Sequence, residues 1–202
     1  AAAFLGCLLT ATLPVLQRRA LVSAADLAVV EGRGADRPLR LYQEAARVDP
    51  LSAVPYRRAA EFCFARWAAA AKSAEAERQE DRLETLFRQA VQFMNEAIRR
   101  NPLEAESYAT LADWYLAKFE HTKDSADAAV ADSFLATACA RYPSNVRYWA
   151  RRAVAANLAG RRDDARRYAK EALRLDAINR HAGHVDKFLS QTVLGRLREL
   201  AE

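Results

Sequence analysis

One phrase recurs four times along this 202-residue chain and limits its possible folds more than any other feature. It reads LYQEAARVDP up to Pro50, FMNEAIRRNP up to Pro102, LATACARYP up to Pro143 and YAKEALRLDA up to Ala177. In every copy an Ala stands five residues before the final position, at Ala45, Ala97, Ala138 and Ala172. Another stands twelve before it at Ala90, Ala131 and Ala165, a slot that is Pro38 in the first copy. The first three landmarks each precede an aromatic residue that leads a stripe of small or apolar ones: Tyr56 with Ala59 and Ala60, Tyr108 with Leu111, Ala112 and Tyr115, Trp149 with Ala153 and Ala156. That i, i+3, i+4, i+7 spacing marks one face of an α-helix. The unit of repetition is therefore a pair of helices.

Composition fits only this class. The chain has 45 Ala, the best helix former, and only six Gly and six Pro, too few turns for a β-sandwich or barrel. The alanines also explain the pairing. Two helices approach to about 8–10 Å only where the crossing surface is small. Ala60, Ala112 and Ala153 supply that surface on the first helix of a pair; Ala90, Ala131, Ala165, Ala97, Ala138 and Ala172 supply it on the second. Tyr56, Tyr108 and Trp149 are then expected to fill the space between successive pairs. A single helical hairpin cannot bury both faces, so neighbouring pairs must stack.

These residues resemble the tetratricopeptide repeat family, whose pattern is W-x2-L-G-x2-Y…A-x3-F…P at a period of about 34. Pro143 and Ala177 stand 34 residues apart, Pro102 and Pro143 41, and Pro50 and Pro102 52. Three departures stand out: Arg152 replaces the usual Leu, Ala169 the usual large aromatic, and Ala177 the final Pro. The resemblance implies an all-α fold, a TPR-like α-α superhelix of about four antiparallel helix pairs with a C-terminal capping helix. The repeats are expected at 17–50, 51–102, 103–143 and 144–177, and the cap within 181–202, bent near Gly195.

Local punctuation refines those elements. The first pair is expected near 17–31 and 38–48, joined through Gly32-Arg33-Gly34. The extra length of the second copy lies in AAAAKSAEAERQEDR (68–82), which predicts a first helix over about 53–78 and a short turn into 82–100. Asn101-Pro102-Leu103-Glu104 reads as an N-cap, a first-turn Pro and an acidic third position. HTKDSAD (121–127) reads as a longer loop, with Asp124-Ser125 opening the next helix. Ser144 is placed to cap a helix over 145–159 that ends at Gly160, and Asp163 and Asp164 sit where the following helix dipole favours negative charge.

The ends differ in character. Residues 1–16 carry no charge, and Arg18-Arg19 follow. Sixteen residues fall short of the roughly 20 that span a bilayer, so two readings stay open: the end of a transmembrane or signal segment, giving possible membrane attachment, or a buried first helix. A lipoprotein signal at Cys7 fits poorly, because the residues after it stay apolar. From Arg141 onward there are 14 Lys and Arg against 7 Asp and Glu, whereas residues 1–140 carry 17 against 19. This basic region is either a solvated helix face or a patch for an acidic partner, nucleic acid or anionic lipid. No RNA-type aromatic signature or zinc finger accompanies it, so nucleic acid is not expected.

No catalytic motif is present: GxxxxGK[ST], GxSxG and HExxH are all missing from the sequence. No cofactor or metal is expected. His181 and His184 are three apart but lack further ligands at motif spacing, and Cys63 and Cys139 read as small buried residues.

The family resemblance implies a concave groove lined by the first helices, binding a peptide or a partner's helix. On this sequence the matching positions are Arg57 and Glu61, Thr110 and Asp113, and Arg147, Arg151 and Asn157. The family's set for gripping a peptide C-terminal carboxylate is not matched, because Glu61 and Thr110 stand where it wants Asn. Two functions follow. One is a non-catalytic protein–protein scaffold whose partner the sequence does not identify. The alternative is the soluble repeat tail of a bacterial polytopic membrane protein resembling O-antigen ligase or polymerase, with glycan transfer carried by other segments. The expected location is bacterial and membrane-associated, with a cytoplasmic alternative.

Overall fold

The computed structural model describes residues 6, 10, 12–32, 34–73 and 79–202. The described residues contain no β-strand. The chain divides into two compact units, one up to Pro102 and one from Leu103, at the boundary between the second and third sequence repeats.

The first unit contains α1 (Leu13–Val30), α2 (Asp36–Val48), α3 (Val54–Ala71) and α4 (Glu80–Arg100). α1 packs on α2 and α3 on α4, and α2 joins the pairs by packing on α3. One core gathers Val22, Ala25, Tyr42, Ala45 and Ala59, with Leu39, Phe62 and Phe93 against it. At the other end of the α3–α4 hairpin, Trp67 meets Phe87 edge-on at 5.3 Å and stacks on Phe64. Polar ties close the first hairpin: Tyr42 Oη donates to Asp26 Oδ1 at 2.6 Å, and Arg18 Nε lies 3.0 Å from Asp49.

The second unit contains α5 (Ala105–Thr122), α6 (Ser125–Arg141), α7 (Val146–Leu158) and α8 (Arg162–His181), then a 3-10 turn at Val185–Lys187 and α9 (Gln191–Ala201). Hairpins α5–α6 and α7–α8 stack through α6 on α7, and α9 covers α8 and reaches α7. One core cluster includes Ala153, Ala156, Ala165, Ala169 and Ala172 with Leu189, Leu194 and Leu197. Tyr148 joins the pairs: it is buried against Ala109, Ala138 and Cys139, and its hydroxyl donates to Glu106 at 2.8 Å.

The alanine pattern is realised in both units. Ala60, Ala90, Ala97, Ala112, Ala131, Ala138, Ala153, Ala165 and Ala172 are each at most 1% exposed. The Gly160 turn holds φ +78, a left-handed conformation that a Cβ disfavours, and lets α7 reverse into α8 within three residues.

Several local expectations need correction. α3 ends at Ala71, not near 78, and residues 74–78 of the predicted extension lie outside the described residues. Asn101 does not cap α5: its N–H bonds Ala97 O as the end of α4, and α5 begins at Ala105 after Glu104. The reason is that Pro102 and Leu103 form a turn first. The 121–127 loop is only Lys123-Asp124, because the extra residues of that copy lengthen α5 and α6. Asp124 does cap α6, accepting from Ala126 N. Asn145, not Ser144, caps α7 by accepting from Arg147 N. The C-terminal break falls at 182–190 rather than at Gly195, which lies inside α9. Tyr56 lies under Arg100 of its own hairpin, with the guanidinium carbon 3.8 Å from the ring centre and Arg100 Nη2 donating to Tyr56 Oη. The apolar segment 1–16 lies largely outside the described residues, and its last four residues open α1. No helix among the described residues is long and apolar enough to cross a membrane.

Cys63 and Cys139 are buried free thiols. Burial, only partly offset by Arg66, pushes the Cys63 thiol up to about 11 from an ordinary 9.0. Burial likewise pushes Cys139 up to about 12, against the opposing pull of Arg152. A folded state that holds these protons more tightly than the unfolded chain is favoured below pH 9, and that advantage disappears as pH rises toward 11–12. The urea midpoint should therefore fall between about pH 8 and about pH 11, and fall less when both cysteines are changed to Ala. An equal fall in the double variant would assign the effect to other groups.

Candidate functional site: a cavity between the last hairpin and its cap

The second unit contains an open cavity of about 450 Å³. α7 contributes Arg147, Ala150, Arg151 and Val154, one face at i, i+3, i+4 and i+7. The connection into α9 contributes Phe188, Leu189 and Ser190; α9 contributes Val193, Arg196 and Leu197; α5 contributes Leu116. The lining is mostly apolar, with three arginines and no carboxylate among its residues.

The sequence positions these groups by local rules. Asn145 fixes the start of α7, so Arg147 and Arg151 fall one turn apart on the same face. Ser190 caps α9 by accepting from Val193 N, which turns Leu194 and Leu197 inward. The segment before α9 is held by Asp176, which is 3% exposed. Asp176 Oδ1 accepts from Leu189 N at 2.8 Å, and Oδ2 accepts from Arg180 Nε at 2.6 Å. Arg180 in turn donates to Leu189 O and lies 4.6 Å from the Phe188 ring centre.

The expected groove residues separate into three groups. Arg147 and Arg151 line the cavity, and Asp113 of α5 stands beside it with Oδ2 3.1 Å from Arg151 Nη1. That approach is close enough for an ion pair but off the direction of a hydrogen bond, so the buried Nη1 has no hydrogen-bond acceptor. Burial raises the Asp113 carboxyl above its ordinary range and outweighs the opposing effect of Arg151. Arg147 Nη2 donates to Asp186 O at 2.9 Å. Thr110 is half-buried one turn before Asp113. Asn157 is also half-buried but does not line the cavity. In the other unit, Arg57 and Glu61 are half-buried one turn apart on α3, and Glu61 accepts from Arg58 Nη1 at 3.2 Å.

The contributions of the cap were not among the expected groove residues. Val193 and Leu197 recur at helical spacing with Leu194, and nothing in the sequence sets Arg196 apart. Only their placement beside α7 shows that they also bound a cavity. Elsewhere, His181 and His184 are exposed at the end of α8, and the described residues contain no group of three or more His, Cys, Asp or Glu arranged to hold a metal ion.

Comparison with solved structures shows the same architecture. The crystal structure of MamA superposes with a TM-score of 0.55 at 18% identity, over 81% of each chain. PilF of Pseudomonas aeruginosa gives 0.53 at 12% identity, over 93% of this chain and 76% of that one. No family profile and no curated protein matches the sequence. The chain has the tetratricopeptide-repeat fold, an all-helical architecture of paired helices.

Proposed function

We propose that this chain is a non-catalytic interaction scaffold that holds a peptide or partner helix against the first helices of its repeats. The observation that carries this reading is the face shared by α5, α7 and α9. Asp113, Arg147 and Arg151 lie around an apolar cavity there, while the alanine faces of the same hairpins are used up in packing. An open, mostly apolar concavity with a few fixed polar groups is the usual form of a binding site. Thr110 and Asn157 extend the proposed face along α5 and α7, and Arg57 and Glu61 form the corresponding face of α3 in the first unit. Partner chemistry, rather than bond-making chemistry, suits a cavity whose charged groups are arginines with one ion-paired aspartate beside them.

The test uses a partner captured by the wild-type chain and then purified. Its affinity for Arg147→Glu/Arg151→Glu should fall at least about tenfold. Arg166→Glu, on the exposed side of α8, should leave it unchanged. Equal affinity for all three proteins would contradict the reading.

A further inference from the structure

From the cavity's lining we infer the chemistry of its occupant: an acidic segment of another protein that inserts a large aliphatic or aromatic side chain and flanks it with carboxylates. This rests on the scaffold reading and adds a ligand class to it.

Two properties of the cavity select this occupant. Its volume of about 450 Å³ and its lining of Leu116, Val154, Phe188, Val193 and Leu197 offer an apolar receptacle for bulky side chains. Its charge is predominantly positive: the lining includes Arg147, Arg151 and Arg196 and no Asp or Glu, with Asp113 beside it paired to Arg151. The arginines come from two elements, Arg147 and Arg151 from α7 and Arg196 from α9, so a segment lying in the cavity meets cations from both.

These arginines are not all satisfied internally. No ion pair or hydrogen bond engages the exposed Arg196 side chain among the described residues, whereas Arg151 is paired with Asp113 and Arg147 donates to Asp186 O. A carboxylate can take two parallel N–H bonds from a guanidinium, which makes it the best-fitting acceptor for such donors. The region from Arg141 onward carries 14 basic residues against 7 acidic, a net positive charge that would speed the approach of an acidic partner. A basic segment would leave the arginines facing like charge. An uncharged apolar segment, such as residues 1–11 of a second copy, would bury the cavity without using them.

Selection from a random peptide display library on the immobilised full chain tests this. Enriched peptides should share a Leu, Ile, Phe or Trp with Asp or Glu within three or four positions. As synthetic fluorescent peptides they should lose about tenfold in affinity for Arg196→Glu, with circular dichroism confirming that the variant stays folded. They should lose a similar factor when their apolar residue becomes Ala, and should weaken as salt is raised. Three results would overturn the inference and leave the scaffold reading standing. One is enrichment of basic or uncharged peptides. Another is acidic peptides indifferent to Arg196→Glu. The third is binding of acidic peptides that ignores the change of their apolar residue to Ala, which would reduce recognition at the site to charge alone. Failure to enrich any peptide over the bare support would count against both readings.

Discussion

Arg152→Leu restores the residue usual for the repeat at that slot, yet it should destabilise this protein by about 3 kcal/mol. The reason lies on the preceding helix. Asp132, on α6, has a side chain only 5% exposed. It is held by Arg152 Nε at 3.1 Å and by Arg161 Nη2 at 2.7 Å. The Arg152 guanidinium also lies 3.9 Å from the Tyr168 ring centre and donates to Tyr168 Oη. Leucine would give up both contacts and leave a buried carboxylate with one partner, Arg161, which is itself 41% exposed. Removing one member of a buried ion pair is costly because the other charge stays out of water, whereas removing both is often nearly neutral. The double variant Arg152→Leu/Asp132→Ala should therefore recover most of the loss, as measured by urea or thermal denaturation. A single variant as stable as wild type, or a double variant less stable than the single, would show that the pair does not contribute in this way.

The second large effect is expected at the cap. Asp176→Ala removes the acceptor for Leu189 N and the partner of Arg180 together. A buried amide left without an acceptor costs about 1–3 kcal/mol. The penalty should appear locally, because α9 packs mainly on α8 and, to a smaller extent, on α7. Amides of α9 should lose most of their hydrogen-exchange protection, and the 182–190 connection should become the first site of proteolysis, while α5 and α6 keep their protection. Asp176→Asn retains an oxygen for Leu189 N but drops the charge facing Arg180, so it should give an intermediate result. Unchanged exchange in α9 of Asp176→Ala would mean that Leu194 and Leu197 alone hold the cap in place.

These two carboxylates also mark where the sequence stops being legible. The repeated alanines could be read directly, since their slots recur and a helix crossing admits little else. The Arg152 departure was visible, but its cause was not, because Asp132 lies 20 residues away on another helix and looks like any charged residue of an amphipathic stretch. Asp176 sits in the landmark position of the fourth copy, where its sequence role is a helix-end residue. Its hold on Leu189 depends on how the chain returns after α8. Helix ends were misplaced wherever more than one residue could cap, as at Ser144 against Asn145, or where Pro102 formed a turn before the helix. The candidate site was legible on α7, through the face of Arg147 and Arg151. It was not legible on α9, whose Val193 and Arg196 gain their place only when the cap has docked.

The account depends on alanine crossings holding the hairpins together, and a paired small-to-large series tests it most directly. Ala112→Leu and Ala153→Leu place a larger side chain at crossings that are 0% exposed. Each should lower stability by about 1–3 kcal/mol, as overpacking does in a close-packed core. Ala129→Leu and Ala140→Leu, at exposed positions of α6, should stay within about 0.5 kcal/mol of wild type. Urea denaturation of the four variants that shows this split supports the packing described here; four equal midpoints, or a gain in stability at Ala112 and Ala153, would contradict it.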